Sequence, residues 1–145
     1  MMLKALLALI PAVLALDHAI TIGLNNTLTF TPDQVVAAIG DTLTFTVVAR
    51  NHSTTTTNYD GAVCPPPPGG VGENGWDSGF LSDLDGSMPQ FVYTVVDTAP
   101  HFAACMQANG AHCSAGGHDL RVEPHDGVDL RPVQGQCHGV LRDSL

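Results

Sequence analysis

The chain of 145 residues reads as an all-β sandwich. Three observations predict it. Residues 42–49 set Leu43, Phe45, Val47 and Ala49 against Thr42, Thr44, Thr46 and Val48, the period of two that gives a strand one core face. Residues 91–96 repeat the pattern, with Phe91, Tyr93 and Val95 alternating with Val92, Thr94 and Val96. Further short β-type runs recur between Gly, Pro, Asn and Asp turns, and no amphipathic helical period reaches useful length.

The elements follow in order. Met1-Met2-Leu3-Lys4 and the apolar residues 5–16 have the order of a secretory leader, a positive charge before an apolar run too short to span a bilayer. Val13-Leu14-Ala15 places modest or small residues at −3 and −1, so cleavage is expected after Ala15, give or take a few residues. The expected organisation is a leader over 1–15, one domain over 16–123 and a C-terminal tail over 124–145. Strands are expected over 18–23 and 28–32 around the turn Asn25-Asn26. A short segment over 33–38 follows, ending at the turn Gly40-Asp41, and then the clear strand 42–49. Residues 51–84 hold a threonine run, Cys64, four prolines and then five glycines between 69 and 79, and read as one long loop wrapping the sandwich. A loop of that length is uncommon unless functional or pinned. Cys64 is the pin, and Trp76 and Phe80 are expected to tuck the loop onto the core. The strand 91–96, a turn at 97–100, short strands at 101–105 and 118–122, and a tail of little periodicity complete the chain.

Charge and composition exclude several functions. The formal charge is −9, and −10 once Lys4 leaves with the leader. A phosphate backbone would be repelled, so nucleic acid is not an expected partner. No second apolar run reaches membrane length, and the end of the chain is too polar for a lipid-anchor signal. No serine-histidine-acid signature, phosphate loop or acid–base carboxylate pair is present, so no enzyme activity is expected. A secreted, extracellular location follows from the leader. Asn25-Asn26-Thr27 and Asn51-His52-Ser53 are N-glycosylation sequons at Asn25 and Asn51.

The chemistry-bearing stretch is Cys105-Met-Gln-Ala-Asn-Gly-Ala-His112-Cys113, with His52 upstream at the end of a strand. One thiolate and two imidazoles from two loops of a β-sandwich form the ligand set of a type 1 copper site. Two other readings stand beside it. Cys105 can be a structural half-cystine, paired with Cys113 or Cys137, and His52 can be a solvated loop histidine. Closing Cys64–Cys113 stabilises by roughly 4 kcal/mol and Cys64–Cys105 by nearly the same amount, so loop entropy does not choose between them. His101, His125 and His138 are read as surface residues, and His118 as a spare donor near the site.

Thr29-Phe-Thr-Pro32, Gly40-Asp-Thr-Leu-Thr-Phe45, Asn51-His52-Ser53, Asp77-Ser-Gly-Phe80, Tyr93-Thr-Val-Val-Asp97 and His112-Cys-Ser-Ala-Gly116 fall in one order. Over about residues 18–123 the chain resembles the secreted cupredoxin-like proteins of fungi, the extracellular serine-rich family, relatives of plant phytocyanins. The resemblance implies a cupredoxin-like Greek-key β-sandwich with a long wrapping loop and a C-terminal tail. It implies one copper ion held by His52, Cys105 and His112, a disulfide between Cys64 and Cys113, and electron transfer with a redox partner protein. Cys137 is then left unpaired or joins another chain. The chain departs from the family at three places. Gly117 stands where the axial methionine belongs, six residues rather than four separate Cys105 from His112, and His101-Phe-Ala-Ala104 replaces the usual aromatic run. An alternative from another class is a metal-free domain of the same fold, acting at a cell surface or wall.

Overall fold

The computed structural model describes residues 14–58, 64–114 and 120–125. Ten strands are present among them: β1 (Asp17–Ile22), β2 (Phe30–Thr31), β3 (Gln34–Ala37), β4 (Thr42–Val47), β5 (Asn51–His52), β6 (Thr55–Thr57), β7 (Leu81–Ser82), β8 (Gln90–Thr94), β9 (His101–Ala104) and β10 (Leu120–Pro124). One sheet runs β2-β1-β4-β8 and the other β3-β10-β9-β6, with β5 and β7 forming a small ribbon. β1 lies parallel to β4, and β3 parallel to β10, while the remaining neighbours are antiparallel. No helix of the described residues is long and apolar enough to cross a membrane.

The period of two places the core. Leu43, Phe45 and Val47 of β4 are fully buried, as are Ile20 and Ile22 of β1 to within 1%. They face Val35 and Ala37 of β3, Ala103 of β9 and Leu120 and Val122 of β10 across one continuous cluster. Phe45 is its centre, with ring centroids 6.4 Å from Phe30, 6.1 Å from Phe91 and 5.9 Å from Trp76.

The stretch expected as one irregular loop is more ordered than that. β5, β6 and β7 all fall inside residues 51–84, and β6 pairs with β9 through Thr55↔Ala104, Thr56↔Ala103 and Thr57↔Phe102. The reason lies in the threonines. A β-branched side chain suits a strand, and each buried hydroxyl also finds a partner. Thr54 Oγ1 accepts from Trp76 Nε1 at 3.0 Å, and Thr55 O–H donates to Asp77 at 3.0 Å. Thr56 Oγ1 accepts from the Val71 and Trp76 N–H groups at 3.0 and 3.1 Å. The run is a buried polar spine to which the wrapping loop is tied. Trp76 is buried as expected, but Phe80 is 56% exposed and does not pack on the core. His101 is no surface residue either. Its ring lies 5.6 Å from that of Trp76, and its Nε2 is 2.9 Å from Asp97 Oδ1.

Asp41, in the turn before β4, is 4% exposed. Its carboxylate accepts from Leu16 N–H at 2.8 Å, stands 2.9 Å from His18 Nε2, and accepts from Ala38 N–H at 3.0 Å. Those bonds, Leu16's first, hold its pKa at about 2 against an ordinary 3.8. The folded state therefore binds fewer protons here than the unfolded chain in this acid range. The contribution is whole above the ordinary value and is lost as pH falls toward 2. Asp41→Asn should lower the thermal midpoint at pH 6, and the gap to the parent should narrow on going to pH 2, both read by circular dichroism.

Candidate metal centre

Three donor atoms converge at one end of the sandwich. His52 closes β5, Cys105 follows β9 directly, and His112 lies in the single helical turn Ala111–Ser114. Cys105 Sγ is 3.8 Å from His52 Nδ1 and 3.7 Å from His112 Nδ1, and one ligand atom from each residue lies within 4.8 Å of the others. His52 and Cys105 are fully buried, and His112 is half-buried. The two imidazole centroids are 5.0 Å apart.

The surroundings orient each donor. Ser53 N–H donates to the Cys105 sulfur at 3.3 Å and Gln107 N–H at 3.5 Å, which leaves the side of the sulfur facing the rings for another partner. Ser53 Oγ accepts from Met106 N–H at 2.9 Å, so one residue holds both the His52 strand and the Cys105 loop. The ring of His52 sits over Gly23, where a Cβ would stand 3.3 Å from Nε2 and 3.1 Å from Ala49 O. Gln107 also carries a side-chain oxygen that is buried without a hydrogen-bond partner among the described residues.

Electrostatics keep both rings neutral. Burial, the neighbouring His112 and then Arg50 push His52 down to about 4 from 6.5. Burial, then Arg50, lowers His112 as well. A neutral imidazole presents a nitrogen lone pair, the form in which it binds a metal. The separations also fit an ion. First-row bonds of about 2.1 Å to nitrogen and about 2.3 Å to thiolate reach across gaps of 3.7–3.8 Å. Those gaps are long for hydrogen bonds of the rings to the sulfur.

Cys64 and Cys113 are joined with a Cα–Cα distance of 5.5 Å. Cys105 is a free thiol, so the half-cystine reading of it does not hold in this structure. Gly117, His118, Cys137 and His138 lie outside the described residues. Asn25 is exposed in a turn, whereas Asn51 is half-buried and Ser53 of its sequon fully buried.

No family model and no curated protein matches the chain. Solved structures match its fold. A purple cupredoxin from Nitrosopumilus maritimus superposes with a TM-score of 0.50 at 14% identity, over 73% of this chain and 97% of that one. Oxidised plastocyanin from Dryopteris crassirhizoma gives 0.51 at 19%, over 74% and 99%. Reduced auracyanin from Roseiflexus castenholzii gives 0.51 at 14%, over 78% and 98%. The chain has the cupredoxin fold.

Within this cupredoxin fold, the lengthened loop between Cys105 and His112 takes a defined path. Ala108, Asn109 and Gly110 are three consecutive left-handed residues, at φ 54°, 52° and 85°. Gly110 passes so close to the disulfide that a Cβ there would stand 2.7 Å from Pro65 N and 3.0 Å from Cys64 C. Sequence reasoning missed Gly110, although Asn-Gly is a readable turn signal. It also gave no role to Ser53 or Asp77, which stood in view only as members of short motifs. Asp77 accepts from Thr55, from Gly79 N–H at 2.9 Å and from Gly69 N–H at 2.7 Å.

Gly110→Ala combines a forbidden φ with backbone overlap. It should cost about 1–3 kcal/mol in denaturant unfolding. Reducing the Cys64–Cys113 bond frees a loop closed over a separation of 49 residues. It should lower stability by about 4 kcal/mol, measured by the urea midpoint with and without reductant.

Proposed function

We propose that His52, Cys105 and His112 hold one copper ion and that the protein carries single electrons outside the cell. The convergence of a buried sulfur and two neutral Nδ1 atoms on one point carries the reading. Copper bound by a thiolate and two imidazoles supplies one-electron redox chemistry. The chain's own part is positional. Ser53 and Gln107 N–H groups set the direction of the sulfur, and the burial of His52 and Cys105 keeps bulk water from two of the three donors. On the pattern of the resemblance, Gly117 takes the place of the axial methionine in the sequence, so these three residues would do most of the holding. His112 is the half-exposed member of the trio, so its edge is where a redox partner protein would come closest. The likeness to secreted fungal cupredoxin-like proteins belongs to the same reading, as does an extracellular location with the leader removed. On it the protein is an electron carrier rather than an enzyme.

The test is a Cu(II) titration of the reduced protein, followed by visible absorption. A strong red-region thiolate-to-copper band should saturate at one equivalent. Cys105→Ser should abolish the band while leaving the far-ultraviolet circular dichroism unchanged, and His112→Ala should weaken both band and affinity. Absence of stoichiometric binding, with the Cys105 thiol found oxidised, would overturn the copper reading and leave the metal-free surface domain.

A further inference from the structure

We propose that Leu16 becomes the mature amino terminus and that its α-ammonium is clasped by the buried Asp41 carboxylate, so that removal of the leader completes an ion pair inside the fold. This inference is independent of the metal site.

The start of β1 is already seated on both sides. Leu16 N–H donates to Asp41 Oδ1 at 2.8 Å, while Leu16 C=O accepts from Thr42 N–H at 2.8 Å. Leu16 is therefore held before the strand proper begins at Asp17. Asp41 is 4% exposed, and its other oxygen takes Ala38 N–H at 3.0 Å and lies 2.9 Å from His18 Nε2. Two backbone amides and an imidazole satisfy the oxygens without a permanent cation. Arg50 bonds Asn26 instead, and Arg121 pairs with Glu123. A buried carboxylate is better matched by a positive charge than by amides alone.

The bond that would supply that charge is the one the leader pattern marks. Val13-Leu14-Ala15 ends at the residue before Leu16, and Leu14 is 82% and Leu16 60% exposed, so a protease can reach the junction. Hydrolysis breaks the Ala15 C–N Leu16 bond. Water gives its hydroxyl to the Ala15 carbonyl and a proton to the Leu16 nitrogen, which takes a second proton from solvent to become an ammonium. The nitrogen need not move to meet Asp41, because it is already at hydrogen-bond distance. The neutral N–H donor is replaced in place by a charged one, and charge-assisted bonds are roughly twice as strong as neutral ones.

The experiment expresses the full chain, leader included, in a secreting host. Terminal sequencing and intact mass of the secreted protein should place the first residue at Leu16. Its α-amine should acylate about fivefold more slowly than an ordinary terminus at pH 8, as a rise of about one unit in its pKa implies, and Asp41→Asn should restore the ordinary rate. A second variant guards against a failure of Asp41→Asn to fold. A single Gly inserted between Ala15 and Leu16 keeps every residue of the sandwich but moves the charge one residue from Asp41. It should return the amine to ordinary reactivity and lower the thermal midpoint by several degrees. A first residue other than Leu16 overturns the proposal. So does a Leu16 amine that reacts equally fast in the parent and the insertion variant, or an insertion that leaves the midpoint unchanged.

Discussion

Ser53 is the contact on which the candidate centre depends. Its N–H reaches the Cys105 sulfur, and its hydroxyl oxygen accepts the N–H of Met106, one residue further along the other loop. His52 and Cys105 are 53 residues apart in the chain. No local preference brings them together, so their separation is set by whatever ties the two loops. Ser53 ties them twice, at a fully buried position where both bonds are strengthened by the low dielectric. The same residue reaches outward. Its oxygen also accepts from Thr55 O–H at 3.2 Å, and the same hydroxyl has the Asp77 carboxylate as its other acceptor at 3.0 Å. Ser53, Thr55 and Asp77 thus form one connected run of hydrogen bonds from the sulfur to the wrapping loop.

That connection explains why a loop so rich in proline and glycine is ordered at all. Residues of this composition bury little apolar surface, and among the described residues Trp76 is their one large buried side chain in the core. The compensation is polar. Asp77 gathers Thr55, Gly69 and Gly79, Thr56 gathers Val71 and Trp76, and the disulfide fixes the far end at Cys64. A buried hydroxyl left without a partner would cost about 1–3 kcal/mol, so losing one of these bonds strands a neighbour as well. The segment is ordered as a network rather than as a set of separate contacts.

The parts of the structure legible in the sequence are those fixed by a local period. Strands β4 and β8 stand where alternation of apolar and polar residues placed them, because one face of each had no choice but the core. The ligand trio was legible for a different reason. Cysteine and histidine are rare enough that their placement at loop ends carries chemical information by itself. What the sequence hid was long-range pairing. Thr54–Thr57 looks like a polar loop until β9 is laid beside it and Trp76 above it, and only then does each hydroxyl have a place. His101 was misjudged in the same way, since its burial depends on Trp76 and Asp97 arriving from elsewhere. Phe80 erred in the opposite sense, because a large apolar residue signals burial only when the backbone beside it points inward.

The longer Cys105–His112 spacing shows how local backbone freedom can preserve a distant geometry. The six residues between Cys105 and His112 would carry His112 past the sulfur if the loop stayed extended. Instead Ala108, Asn109 and Gly110 turn left-handed in succession, and the chain doubles back into the helical turn that holds His112. Left-handed conformations cost L-residues something of the order of 1 kcal/mol each. Asparagine and glycine reduce that cost, and the remainder is offset by what the turn gains. Gly110 comes to rest on Cys64–Pro65, beside the disulfide that holds Cys113, and His112 is thereby fixed between two anchors, the bridge on one side and the sulfur-bound N–H of Gln107 on the other. The added length is absorbed at the edge of the site, and the Nδ1 of His112 still faces the Cys105 sulfur at nearly the same distance as that of His52.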